Sequence, residues 1–335
     1  MFRLGRPPSC FAFCIFLVAF SGQSFPQSSI NDVHITTRER DVLSNAASGA
    51  ARVPAGMGLI RSSVDLVMVP VTITDNLNRP VIGLDEENFQ LFENKKPQEI
   101  KHFSTEDTPV SIGLIVDASG SMANKMEKTR DAILQFCQQA NPQDEFFMIT
   151  FADVPRLATD FTNQMDEIQN DLLTLAPKGR TSLLDAIYMG VRKMKDARYS
   201  RRALLILSDG GDNHSRYTEH DVKAAVREAD VLLYAVGTYD RSVSTQEEMM
   251  GPELLQSITE VTGGKAYTLT NEQDLPAVTR TIGSQLRHQY MLAYRPQSKP
   301  RDGKWYKISV KLRLPKKFHS FCHVDARTGY YAAAE

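Results

Sequence analysis

The chain has 335 residues, 42% of them hydrophobic and 24% charged, the proportions of an ordinary folded protein with room for one large domain or two modest ones. A formal net charge of −1 supplies no electrostatic attraction for nucleic acid or for an anionic membrane surface, so neither is expected as a partner. Four cysteines in so long a chain exclude a disulfide-built scaffold.

Residues 1–21 read as a signal peptide. Arg3 and Arg6 form a positive start, residues 10–20 are an unbroken apolar run, and Ala19-Phe20-Ser21 offers small residues for cleavage. The run is shorter than the roughly 20 residues that span a bilayer, which favours an exported protein over one held by an uncut anchor. Export places it in the periplasm, the cell envelope or the extracellular space. Removal of Cys10 and Cys14 with the signal leaves Cys137 and Cys322, whose pairing stays open. Residues 22–60 are polar and lack a sustained period, which predicts a flexible lead-in.

Residues 61–106 form a strand-rich flank. "VDLVMVPVTITD" alternates and is rich in Val, Ile and Thr, "NLNRP" is a turn, and "NFQLFEN" and "QEIKHF" are two further strands. From 107 to 289 continuous apolar strands alternate with amphipathic helices. Strands are predicted at 111–116, "FFMITF", "ALLILSD", "VLLYAVG" and "KAYTL". Met126, Thr129, Ile133, Phe136, Cys137 and Ala140 mark a helix over 125–140, and others are predicted at 165–175, around Leu184–Met194, along Val222, Ala225, Val226 and Ala229, at 253–261 and at 271–286. Residues 290–335 return to strands, "YMLAYRP", "WYKISVKLRL" and "GYYA". The fold class is therefore α/β, a doubly wound, mainly parallel, Rossmann-like sheet, with a β-sandwich-like companion built from the N- and C-terminal flanks.

Ligands of open α/β sheets bind outside the carboxyl ends of the strands. Three polar clusters fall at such ends or beside them: Asp117-Ala118-Ser119-Gly120-Ser121, then Thr181 in "KGRTSLLD", then Ser208-Asp209-Gly210. Asp117, Ser119, Ser121, Thr181 and Asp209 offer two carboxylates and three hydroxyls, without His or thiolate. Such hard oxygens suit Mg²⁺, Mn²⁺ or Ca²⁺ rather than zinc. Two carboxylates balance one divalent cation, and the hydroxyls add no charge, so the ion stays able to accept an outside anionic oxygen. Asp117-x-Ser-x-Ser alone is equally a capped turn; the second and third clusters favour the metal reading.

"DASGS", Thr181 in "GRT" and Asp209 in "SDG" resemble, in chain order, the metal-ion-dependent adhesion site of the von Willebrand factor type A domain, with all five positions intact over roughly residues 107–290. The two strand-rich flanks look like those of a group of exported bacterial proteins in which such a domain lies between strand segments. The resemblance implies metal-dependent binding of a partner protein's Asp or Glu carboxylate, and no turnover. It also implies a helix at 271–286 that moves when the metal gains its outside ligand.

Two alternatives stand beside that reading. A non-catalytic envelope scaffold would bind through the β-rich flanks. A Mg²⁺-dependent phosphohydrolase would use Asp117 as nucleophile, but Ser119 occupies the place of the acid such an enzyme needs two residues on. Catalytic residues are therefore not expected. Ser182-Leu183-Leu184-Asp185 and Thr218-Glu219-His220-Asp221 read as helix capping boxes. Asp212, Asn213 and His214 read as a solvated loop beside the site, and Trp305 as packing within a C-terminal strand.

Overall fold

The structure is a computed structural model that describes residues 66–239, 246–296, 302–315 and 321–332. The chain divides into two units, 1–60 and 61–335, and every described element belongs to the second. The signal peptide and the lead-in lie outside the described residues. Among those residues, no helix is long and apolar enough to cross a membrane.

Four strands come first: β1 (Val67–Thr74), β2 (Phe89–Glu93), β3 (Lys96–Gln98) and β4 (Ile100–Ser104). The α/β core follows as β5 (Val110–Asp117), α1 (Met126–Gln138), β6 (Glu145–Phe151), β7 (Pro155–Thr162), α2 (Met165–Thr174), α3 (Leu183–Lys193), β8 (Arg201–Ser208), α4 (Glu219–Ala229), β9 (Leu232–Thr238), α5 (Gln246–Thr259), β10 (Lys265–Leu269) and α6 (Leu275–Arg287). β11 (Tyr290–Tyr294), β12 (Trp305–Leu312), β13 (His323–Ala326) and β14 (Gly329–Tyr331) close the described chain.

The core sheet has six strands in the order β10-β9-β8-β5-β6-β7, all parallel except β7, which runs antiparallel to β6 at the edge. Its strands are apolar on both faces because helices cover both. Ile112, Leu114 and Val116 of β5 pack with α1, α2 and α6, and Ile115 packs with α3, α4 and α5 on the other side. The chain leaves β5 for β6 on one side and later returns to pair β8 on the other. The carboxyl ends of β5 and β8 thus flank the point where strand order reverses, the place where open α/β sheets bind ligands.

The flanks build two antiparallel sheets, β13-β1-β11-β4 and β14-β12-β2-β3, each mixing strands from before and after the core. Val69, Val71, Ile73, Phe89, Leu91, Tyr290, Leu292, Tyr294 and Ile308 form one shared apolar cluster between them. The companion is therefore the sandwich that the strand patterns at both ends predict. The buried Glu93 carboxylate accepts hydrogen bonds from Tyr294 at 2.7 Å and Tyr330 at 3.0 Å, which satisfies a charge inside this small core.

Several details differ from the sequence expectations. β7 was not expected, because of its residues only Thr159 is buried and the edge carries no clear alternation. The short strands β3 and β13 were likewise unread. α5 begins at Gln246 rather than at 253 and carries Pro252 within it, and α6 begins at Leu275 after a 3₁₀ turn over Glu272–Asp274. Cys137 and Cys322 are both free thiols, and burial pushes the Cys137 thiol up to about 12, so it packs as a small apolar side chain.

Gly113 lies in the middle of β5, where a Cβ would collide with the Phe147 ring and the Leu204 side chain. Both neighbours are fully buried. Gly113→Ala should therefore lower the unfolding free energy by about 2 kcal/mol, the cost of overpacking a tight core, as measured by urea denaturation. An unchanged midpoint would show that this layer has slack.

Candidate metal centre

Asp117 ends β5 with its side chain fully buried. Its Oδ1 accepts a hydrogen bond from the Ser119 amide at 2.8 Å, and its Oδ2 accepts one from the Ser208 hydroxyl at 2.6 Å. Those two bonds fix the carboxylate at the sheet's end. The chain then tightens into a 3₁₀ turn over Gly120–Met122, which brings the Ser119 and Ser121 hydroxyl oxygens to 3.1 Å from one another.

The 178–181 loop is laced to this turn. Lys178 N donates to Ala118 O at 2.9 Å, and Gly120 N donates to Gly179 O at 3.1 Å. Gly179 has a φ of +86°, and a side chain there would strike the Asp153 carboxylate, so only glycine fits this crossing. Two residues on, Thr181 is buried. Its amide donates to Asn213 Oδ1 at 3.0 Å, and its carbonyl accepts from the amides of Asn213 and His214 at 3.1 Å.

Asp209 follows the last residue of β8 and is 2% exposed. Among the described residues neither of its carboxylate oxygens has a hydrogen-bond partner. Lys125 Nζ stands 3.6 Å from its Oδ2, and Asp117 is close enough for the two carboxylates to repel. Burial, followed by the charge of Asp209, pushes the Asp117 carboxyl up to about 7, against the hydrogen bonds from Ser119 and Ser208 that pull it down.

Asp117, Ser119, Ser121 and Asp209 thus gather at the adjoining ends of β5 and β8. The loop that carries Thr181 is tied to the first cluster through Lys178 and Gly179, and Thr181 itself is bonded to the loop after Asp209. Two buried carboxylates, one without any hydrogen bond, are costly together unless a cation compensates them. The donor chemistry, carboxylate and hydroxyl oxygen, fits a hard divalent ion. Among the described residues no group of three or more His, Cys, Asp or Glu side chains gathers to hold a metal, here or elsewhere, so at this site the two carboxylates would need the hydroxyl oxygens to complete a donor set.

The expected capping box at Ser182 does not form. Ser182 donates its hydroxyl to Ala152 O at 2.8 Å instead, and Asp185 accepts the amides of Arg216 and Tyr217 at 2.8 and 3.0 Å. Asp185 is a structural residue as expected, but it anchors the 212–217 loop rather than the start of its own helix. That loop is correspondingly more than solvated chain, since Asn213 clasps Thr181 and Asp212 accepts from Ser215 at 2.6 Å. The Thr218 box does form, with Asp221 as its partner. Trp305 packs edge-on against Tyr331 with ring centres 5.0 Å apart, under the Arg227 guanidinium.

Ser208 and Asn213 are positioning residues that the site expectation omitted. A polar residue closing the apolar run "ALLIL" just before Asp209 was the available signal for Ser208. No local pattern marked Asn213, because its partner lies 32 positions away.

Residues 112–211 match the family model described as von Willebrand factor type A domain. Among curated proteins, the chain is similar to bovine inter-alpha-trypsin inhibitor heavy chain H4, at 24% identity over 158 residues, covering 42% of this chain and 17% of the relative. The human H4 heavy chain is 24% identical over 135 residues, covering 35% and 14%. The chain spans less than a fifth of the length of these relatives. A solved von Willebrand factor type A structure from Catenulispora acidiphila is 11% identical and covers 82% of this chain and 75% of that one, with a TM-score of 0.48. Proximal thread matrix protein 1 from the mussel byssus, solved with a zinc-occupied MIDAS motif, is 16% identical and covers 58% and 49%, with a TM-score of 0.46.

Ser208→Ala removes the donor to Asp117 and the acceptor of the Gly210 amide at 3.0 Å. Two buried groups then go unpaired. The variant should lose about 2 kcal/mol of stability in metal-free buffer, read by denaturant titration. A loss within error of zero would mean that neither bond carries weight.

Proposed function

Because this chain carries a von Willebrand factor type A domain, a protein-interaction fold, we propose that it is an exported, metal-ion-dependent adhesion or protein-interaction module. Asp117, Ser119, Ser121, Thr181 and Asp209 hold Mg²⁺ or a similar divalent ion, Mn²⁺ or Ca²⁺. A partner protein completes the coordination with an Asp or Glu carboxylate. The observation that carries this reading is the pair of buried carboxylates at the β5 and β8 ends, in which, among the described residues, neither oxygen of Asp209 has a hydrogen-bond partner.

Each element of the site has a separate task in this account. Asp117 and Asp209 supply the charge that balances the ion. Ser119, Ser121 and Thr181 supply neutral oxygens, so the ion keeps its appetite for an external anion. Ser208 and the Ser119 amide hold Asp117 at a fixed angle. Asn213 holds Thr181. The bound ion supplies electrostatic attraction for a carboxylate, and the protein supplies its placement at the rim of the sheet. Export rests on Arg3, Arg6 and the apolar run 10–20. The reading is of binding, and Mg²⁺-dependent release of phosphate from a general phosphatase substrate would contradict it.

A divalent ion that binds only the native state stabilises it by mass action, about 2.7 kcal/mol at one hundred times Kd. Mg²⁺ or Mn²⁺ should therefore raise the melting temperature of the wild type by several degrees, and Asp117→Ala should erase the shift. An equal response from the variant would place the ion elsewhere. In a pull-down from envelope or extracellular extract, the partner should be lost on adding EDTA. A partner that stays bound in EDTA would favour the β-rich companion as the binding surface.

A further inference from the structure

The metal centre contains a cation of its own. Lys125, at the start of α1, reaches across to the ends of β8 and β9. Its ammonium donates to Thr238 O at 2.9 Å and stands 3.6 Å from Asp209 Oδ2, with the side chain only 16% exposed. Among the described ion pairs it is the one cation within reach of Asp209. The alternative is that Lys125 merely lays its stem along the core and lets the head find water, as lysines commonly do. The hydrogen bond to a strand-end carbonyl and the low exposure argue against that, because the head group is held inside.

Counting charges gives the ammonium a task. Without a divalent ion, and with both carboxyls ionised, two buried carboxylates meet one ammonium, and a single negative charge remains. With a divalent ion added, the tally becomes one net positive charge. The divalent ion and the ammonium repel one another, and either the lysine leaves its bonds or both cations stay and pay the repulsion. Both routes weaken metal binding relative to a site lacking the lysine.

We propose that Lys125 is a built-in counter-ion of this centre, which compensates Asp209 in the metal-free protein and opposes entry of the divalent cation. The inference rests on the metal reading above. It makes the site one that loads only at appreciable metal concentration, and that is left cationic when loaded, in readiness for a partner's anion.

The test is calorimetric titration of the full chain with Mn²⁺, beside melting of the metal-free protein. Lys125→Met should lower the Kd for Mn²⁺ about tenfold or more, since one adjacent positive charge is gone. The same variant should melt about 5 °C lower without metal, because Asp209 then lacks its counter-ion. Lys125→Arg keeps the charge and should stay within about threefold of the wild-type Kd. Lys125→Gln drops the charge on a polar stem and gives the same reading if the Met variant does not fold. Wild type that binds Mn²⁺ while both neutral variants bind no more tightly would overturn the role of Lys125 alone. Wild type that binds no Mn²⁺ would overturn the metal reading and this inference with it.

Discussion

The structure turns on the burial of two like charges side by side. Asp117 ends β5 and Asp209 directly follows β8, two neighbouring parallel strands whose carboxyl ends adjoin, and both side chains are buried. A parallel sheet clad by helices on both faces leaves them no water. Such a pair raises the free energy of the empty fold unless protons, hydrogen bonds or cations offset it. The molecule uses all three means: the Asp117 carboxyl is held up near 7, Ser119 and Ser208 donate to it, and Lys125 stands beside Asp209. Stability is given up here, and under the proposed reading a bound divalent ion would return part of it.

The surrounding loops follow from this constraint. Gly120, Gly179 and Gly210 lie where backbone crosses close to backbone or to a carboxylate. Gly210, with φ +78°, would strike Gly251 of α5 if either carried a side chain, so α5 seats directly against the residue after Asp209. Thr181 is reached by a different device. Its position depends on Asn213 and on the backbone bonds to the first turn, so the loop after Asp209 sets a residue of the loop before α3. The opposite end of the sheet is pinned by buried ion pairing, with Arg287 of α6 on Asp144 at 2.7 Å. α6 then passes into β11 of the companion within a few residues, which ties the two parts of the described chain to one another.

Much of this was legible in the sequence because the signals were periodic or local. The apolar strands β5, β6, β8 and β9 announce a sheet covered on both faces, and the positions of Asp117 and Asp209 at their ends follow from where each apolar run stops. The companion was legible as leftover strand pattern at both ends. What escaped was either exposed or non-local. β7 is a polar edge strand without alternation. Ser182 resembles a capping residue, yet the carbonyl of Ala152, 30 positions earlier, takes its hydroxyl. Lys125 looks like an ordinary first residue of an amphipathic helix, and only the fold brings Asp209 and Thr238 to its head group. Long-range partners of this kind have no sequence signature in a single chain.

The most direct test of the account is the anomalous scattering of Mn²⁺ in a crystal of the full chain. The account predicts one peak at the carboxyl ends of β5 and β8, about 2.0–2.6 Å from oxygens of the first turn and of the loops carrying Thr181 and Asp209, directly or through a water. Density for the ion at another place, or none at saturating Mn²⁺ with Asp117 and Asp209 unchanged, would contradict it.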